Sequence, residues 1–299
     1  MAHLLVGGDS EIATATGEFL RERRMSPLAT TRRNFSGESG PVFLDLAAPL
    51  GDWQPPTETT TACIFAAVAR LADCHRDPAG SALVNVTHTL ALVERLVSRG
   101  IHVLFLSTNQ VFDGREPWVS AQTPHSPTSE YGHQKARTES ALQAMMNAGA
   151  PVAILRLAKI VPPGLALLRQ WEATLAAGRK VQAFYDMVMA PVPAAIVAAA
   201  IAALLSERGP GIWQLSGPND ISYTQIAAHI ARRIAAPRHF VEPVAASSAG
   251  MPVGTTPRHT TLDSSRLCDR FGIAVPEPWS VIDEVLSRYR EGPPGFHKK

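Results

Sequence analysis

Along most of the chain, short apolar runs alternate with longer stretches in which apolar residues return every third or fourth position. The runs Leu4 to Gly8, Pro27 to Thr31, Val42 to Leu46, Ala62 to Ala67, Val103 to Thr108, Val152 to Leu157 and Ile212 to Ser216 have the length and near-continuous apolar character of strands buried on both faces. Between them, Ser10 to Arg23 sets Ile12, Ala15, Phe19 and Leu20 on one side of a helix. Ser81 to Ser98 does the same with Leu83, Val86, Leu90, Val93 and Val97, with Asn85 as a bridging polar group. Further helices are predicted from Ser129, over Leu165 to Ala177, and from the cap Ser222 through Ile234. The alternation predicts an α/β fold, a doubly wound parallel sheet with a smaller C-terminal lobe. The sheet domain is predicted over 1–164 plus about 191–217, and the lobe over about 165–190 and 218–299.

Toward the end the pattern thins. Pro243 to Pro257, rich in Ala, Ser, Gly and Pro, predicts a loop over a site. Asp263 is expected to cap a helix holding Leu267, Trp279 to precede a last helix through Arg290, and Glu291 to Lys299 to fray. Met187 to Leu205 is uncharged over a length that can span a bilayer. Its two prolines, Pro191 and Pro193, and its many alanines predict instead a short strand and a helix starting near Pro193, buried against the sheet.

Composition narrows the function classes. With 45% apolar residues in 299, a real core is within reach, and a formal charge of +2 with no long basic block gives no argument for nucleic acid. Three scattered cysteines and a first strand entered directly from Met1 point to a reducing, cytoplasmic setting without a signal peptide. The ten histidines show no metal-ligand spacing, and no Gly-x-Ser-x-Gly elbow argues for a hydrolase.

The chemistry concentrates between Val103 and Lys135. An apolar strand ends in Ser107-Thr108-Asn109-Gln110, delivering hydroxyl and amide groups to the carboxyl edge of a sheet. A helix then opens with Tyr131 and Lys135 four residues apart on one face. An ammonium beside a phenol lowers the phenol's pKa, so Tyr131 can exchange a proton near neutrality while Thr108 bonds the same substrate oxygen. Such a set suits the reduction of a carbonyl or the oxidation of an alcohol.

Ser107-Thr-Asn-Gln-Val-Phe-Asp-Gly114 with Tyr131-x-x-x-Lys135 resembles the extended short-chain dehydrogenase/reductases, and among them the dTDP-4-dehydrorhamnose reductase branch. Arg258-His-Thr-Thr-Leu-Asp263 is similar to that branch's closing segment. The resemblance implies a Rossmann-like domain binding a nicotinamide dinucleotide and a lobe binding a nucleotide-sugar substrate. It sets Asp45 and Leu46 beside the adenine and Ala66 and Ala67 under the cofactor. Arg258, with Thr108 and Asn109, falls on the substrate side.

In such a fold the first turn, with Gly7, Ser10, Glu11 and Ile12, points helix N–H groups at a pyrophosphate. Here Ser10 and Ala13 replace the family's second and third glycines, and Asp9 brings a carboxylate that repels phosphate unless it points away. The second strand ends in Thr31-Arg32-Arg33 with no acid, which favours NADP(H) over NAD(H). The reading is hydride transfer from NADPH to a nucleotide-activated 4-keto-6-deoxy sugar, with Tyr131 as acid, Lys135 lowering its pKa and holding the nicotinamide ribose, and Thr108 orienting the carbonyl. Asn109 and Gln110 stand where sugar dehydratases of the superfamily carry an Asp-Glu pair, which disfavours dehydration. Two alternatives stay open: an epimerase or other oxidoreductase on the same scaffold, and a non-catalytic nucleotide-binding subunit with a degenerate phosphate loop. A homodimer is compatible with the sequence.

Overall fold

The apolar runs become strands and the periodic stretches become helices. The structure, a computed structural model, describes residues 2–33, 41–251 and 256–288. In chain order these form β1 (Ala2–Val6), α1 (Glu11–Glu22), β2 (Ser26–Thr31), β3 (Val42–Phe43), β4 (Thr59–Ile64), α2 (Leu71–Arg76), α3 (Pro78–Ala82) and a π-helical turn (Leu83–His88). Next come α4 (Thr89–Val97), β5 (His102–Thr108), α5 (Glu130–Asn147), β6 (Val152–Leu157), β7 (Ile160–Val161), α6 (Ala166–Ala176), β8 (Val181–Phe184), β9 (Val188–Met189) and β10 (Val192–Pro193). The remainder is α7 (Ala194–Glu207), β11 (Gly211–Leu215), β12 (Ile221–Ser222), α8 (Tyr223–Arg233), β13 (Val241–Val244), α9 (Ser265–Phe271) and α10 (Pro278–Arg288).

Seven strands make one sheet in the order β11-β6-β5-β4-β1-β2-β3, every neighbouring pair parallel. From β1 the chain builds outward through β2 and β3, then returns to lay β4, β5, β6 and β11 on the other side. The order therefore reverses at β1 and β4, and a crevice opens beyond their carboxyl ends. Period-two alternation feeds two layers. Leu5, Cys63, Leu104 and Leu155 pack with α1 and α7 on one face. Leu4, Val6, Ile64, Phe105 and Ile154 pack with α4 and α5 on the other. A separate apolar cluster joins α6, α8 and α10 through Trp171, Leu175, Ile226, Ile230 and Ile282.

The Met187 to Leu205 stretch resolves into two short strands, β9 and β10, where one was expected, and, as expected, a helix that starts after Pro193, with Ile201, Leu204 and Leu205 buried. Among the described residues no helix is long and apolar enough to cross a membrane. Ser222 caps α8 with a full capping box, its hydroxyl accepting the Gln225 N–H while the Gln225 side chain accepts the Ser222 N–H.

Several predicted boundaries move, each for a local reason. The first strand stops at Val6 because Gly7 turns the chain at a φ of 84°. β3 is only Val42–Phe43, and Leu44 to Leu46 run on outside the ladder with both leucines buried. β4 ends at Ile64, which leaves Ala66 and Ala67 on the loop beyond it. Pro243, read as the start of a loop, lies in β13, paired parallel with Ala183 of β8. A two-stranded sheet has only edges, and an edge strand tolerates a residue without an N–H. Residues 252–255 of that predicted loop fall outside the described residues, as do the Glu291 to Lys299 tail and the last two residues of the predicted final helix. Trp279 sits inside α10 rather than before it. α9 begins at Ser265, where Asp263 accepts the Ser265 N–H.

At the opposite end of the sheet from the crevice, His3 and His102 are buried, and burial together with the charge of Arg208 lowers the pKa of each below that of a free histidine. Both are therefore held neutral in the fold but take up protons when unfolded, so their contribution is present above about pH 6.5 and lost as the pH falls below it. The urea midpoint is expected to drop between pH 7 and pH 5, and His102→Leu to flatten that slope. An unchanged slope in the variant removes His102 from the linkage.

Candidate active site

The crevice at the sheet reversal holds a cavity of about 340 Å³. Gly7, Ser10, Arg32, Arg33, Asp45, Leu46, Ala66 and Ala67, expected from the sequence to bind a dinucleotide, all line it. Phe65, Val68 and Val84 complete its apolar wall. A Cβ on Gly7 would come within 2.7 Å of the Ala66 backbone nitrogen, and Gly7 also carries a positive φ, so glycine is required on both counts. Ser10 caps α1 by accepting the Ala13 N–H at 3.2 Å, and the same residue lines the cavity. Of the remaining expected cofactor residues, Glu11 is exposed, Ile12 packs into the core, and Thr31 is buried and donates to Asp9.

One strand away, β5 carries Thr108 to its carboxyl end, where the Thr108 hydroxyl oxygen accepts the Gln110 N–H at 3.2 Å. α5 begins against this turn. Ser129 caps it by accepting the Gly132 N–H, and a Cβ on Gly132 would collide with the Gln110 carbonyl, so the helix start is seated directly on the strand end. Seating it there sets Lys135 under β5, its Nζ donating to the Leu106 carbonyl at 2.8 Å and lying 4.2 Å from the centre of the Phe105 ring. The Tyr131 ring centre stands 5.9 Å from the same Nζ. Thr108 closes β5 two residues beyond Leu106, so the strand end, the Tyr131 ring and the Lys135 amine lie along the carboxyl edge of the sheet. Asn109 adjoins them, its Oδ1 3.5 Å from the Thr108 hydroxyl, while Gln110 turns away to accept from Ser129.

The electrostatics correct one expectation. The amine does not make the Tyr131 phenol acidic: burial pushes the phenol's pKa up, and neighbouring Cys74 adds to the rise. Burial also lowers Lys135 to about 8, against the opposing charges of Glu139 and Cys74. The ammonium spends its short contact on the Leu106 carbonyl, leaving desolvation as the dominant influence on the phenol.

Arg258, expected on the substrate side, is exposed. The segment around it is pinned to both halves of the chain. The His259 N–H donates to the Gly114 carbonyl, and Thr260 donates its N–H and hydroxyl to Asp220.

The family model described as RmlD substrate binding domain matches residues 1–291. The chain belongs to that family. This agrees with the branch that its motifs resemble. None of the curated proteins matches it. Among solved structures, a Thermus thermophilus UDP-glucose 4-epimerase in complex with NAD is similar over 98% of this chain and 100% of that one, at 19% identity and a TM-score of 0.79. A dTDP-4-dehydrorhamnose reductase from Clostridium acetobutylicum covers 97% and 100% at 17% identity and a TM-score of 0.78. A hypothetical dTDP-4-dehydrorhamnose reductase from Sulfolobus tokodaii covers 90% and 94% at 24% identity and a TM-score of 0.73.

Within this RmlD-family fold, sequence reading missed a buried charged cluster behind the edge. Arg156, 1% exposed near the carboxyl end of β6, lies across Glu139 of α5, which is one helical turn from Lys135. His125 Nε2 stands 2.9 Å from the same carboxylate. Burial alone would raise the Glu139 pKa, but hydrogen bonds from His125 and Arg156 and the charge of Arg156 outweigh it and hold the carboxyl below its ordinary value. The signal was available in the sequence: an arginine inside an apolar parallel strand needs a buried partner. Asn85, by contrast, bridges as expected, accepting the Val68 N–H and donating to the Val68 carbonyl and to Gln134.

Proposed function

We propose that the protein is a nicotinamide-dependent reductase of a nucleotide-activated sugar carrying a keto group, with a 4-keto-6-deoxy hexose as substrate. One observation carries this reading: Lys135 reaches the end of β5 through the Leu106 carbonyl, with the Tyr131 ring centre 5.9 Å from its Nζ and Thr108 closing the same strand two residues on. The residues present suit a dinucleotide. Ser10 offers a hydroxyl, Arg32 and Arg33 offer cations at the end of β2, and Ala66 and Ala67 keep the sheet edge low. Bound there, the reduced dinucleotide supplies the hydride.

The chain's own groups do the rest. A phenol held protonated by burial is the form needed to deliver a proton to the oxygen of a ketone being reduced, so Tyr131 serves as general acid. The Thr108 hydroxyl bonds the same oxygen and fixes the carbonyl's direction. Lys135 holds its ammonium 5.9 Å from the Tyr131 ring centre, would hold a ribose hydroxyl of the bound dinucleotide, and returns positive charge as the phenol gives up its proton. The lobe built from about 165–190 and 218–299, with Arg258 at its seam, takes the nucleotide and the sugar. The reductases among the similar structures support this choice of reaction, and Asn109 and Gln110 leave no acid to expel water, which argues against dehydration.

The direct test is NADPH oxidation by the purified protein against a panel of nucleotide 4-keto sugars. Oxidation dependent on one or more of these sugars is expected. A panel that gives none, with the dinucleotide bound, leaves the non-catalytic reading standing.

A further inference from the structure

The first turn brings to the cavity a carboxylate for which its arginines do not account. Gly7 donates its N–H to the Thr30 hydroxyl at 3.0 Å, and Gly8 donates to the Thr30 carbonyl at 2.9 Å, so the turn is locked onto the end of β2. There is no slack at Gly8, where a Cβ would lie 2.6 Å from that of Ala29. Asp9, next in the chain, is thereby aimed along β2. Its Oδ2 accepts the Thr31 hydroxyl at 2.7 Å and stands 3.9 Å from Arg33 Nε. The Thr31 oxygen in turn accepts the Arg33 N–H at 3.1 Å. The carboxylate keeps 39% of its side-chain surface exposed, and Asp9 lines the same cavity as Arg32 and Arg33.

In a sheet of this kind the end of β2 meets the adenosine ribose. An acid there binds a 2′-hydroxyl, and an arginine binds a 2′-phosphate. β2 itself ends without an acid, and Asp9 brings one to that place from the preceding turn.

We propose that Asp9 is the specificity-determining residue of the cofactor cavity: held by Thr31, it accepts the 2′-hydroxyl of an unphosphorylated adenosine ribose and opposes the 2′-phosphate that Arg32 and Arg33 attract. This rests on the dinucleotide reading above and goes beyond it. The preference for NADPH that the two arginines create is held down, and the cavity takes NADH as well. Thr31 is a positioning residue, since its hydroxyl aims the carboxylate and its oxygen orders Arg33.

The test is fluorescence titration of NADH and NADPH into the full chain, which reads binding and not turnover. Asp9→Asn keeps the side chain's shape and a hydrogen bond to Thr31 while removing the charge. It is expected to tighten NADPH by at least about tenfold, the scale of one removed like-charge contact near a protein surface, and to weaken NADH by a few-fold. Asp9→Ser, which also discards the shape, is expected to move the ratio in the same direction. Arg32→Ala is expected to weaken NADPH more than NADH. If the wild type binds both nucleotides and the two Asp9 variants leave their ratio unchanged, the inference is overturned while the dinucleotide reading survives. If the wild type binds neither, the dinucleotide reading falls and takes the inference with it.

Discussion

Tyr131→Phe is expected to lower turnover of a 4-keto sugar by at least about a hundredfold, the lower end of what a positioned acid contributes. The substitution removes one oxygen from a ring whose packing stays, so the loss should appear in kcat with the melting temperature near that of the wild type. The pH profile separates this mechanism from a merely structural role. Burial raises the phenol's pKa, so Tyr131 stays protonated through the neutral range and imposes no loss of acid there. Lys135 sits at about 8, charged below that value and neutral above it. Reduction is therefore expected to hold up to about pH 8 and to fall beyond it as the ammonium is lost. A rate flat to pH 10 would remove the ammonium from the reaction, and a phenylalanine variant with most of its activity would remove the phenol.

That profile also marks the limit of what sequence spacing carries. Strand ends and the Tyr131 to Lys135 face were legible because each follows from a local period, two residues for strands and about four for helices, whereas the roles of the small residues after β4 came from the family resemblance. Strand ends and the family resemblance together pointed to eight of the residues that line the cavity, from Gly7 in the first turn to Ala67 beyond β4. Quantities that depend on what surrounds a side chain were not legible. The Tyr131 pKa moves up because desolvation in the assembled cleft exceeds the pull of an amine that faces Leu106, and spacing along a helix carries no information about desolvation. Asp9 read as an obstacle to phosphate because its direction depends on Thr30 and Thr31, which stand about twenty residues further on. Pro243 read as loop because its partner strand, β8, lies some sixty residues earlier.

Arg156→Ala is expected to cost about 3–5 kcal/mol of stability, enough to unfold a large share of the protein at modest denaturant. Arg156 directs its guanidinium at Glu139 through Nε and one terminal nitrogen, and its other terminal nitrogen reaches the Ala121 carbonyl and the Gln214 side chain. Removing it leaves Glu139, 0% exposed, as a buried carboxylate without its main counter-charge, with His125 and Ser107 still beside it. The paired change Arg156→Met with Glu139→Leu should recover most of the loss, because apolar replacement of both partners removes the desolvation penalty along with the bond. If the double variant is as unstable as the single one, the penalty lies in packing and not in the orphaned charge. The double variant also reports on the edge. Glu139 opposes the burial that lowers Lys135, so its loss should carry the Lys135 pKa below about 8 and move the alkaline fall in activity toward neutrality. A recovered fold with an unmoved pH limb would confine the cluster to stability. A recovered fold with the limb displaced would show that the arginine in β6, through Glu139, holds the charge of the lysine under Tyr131.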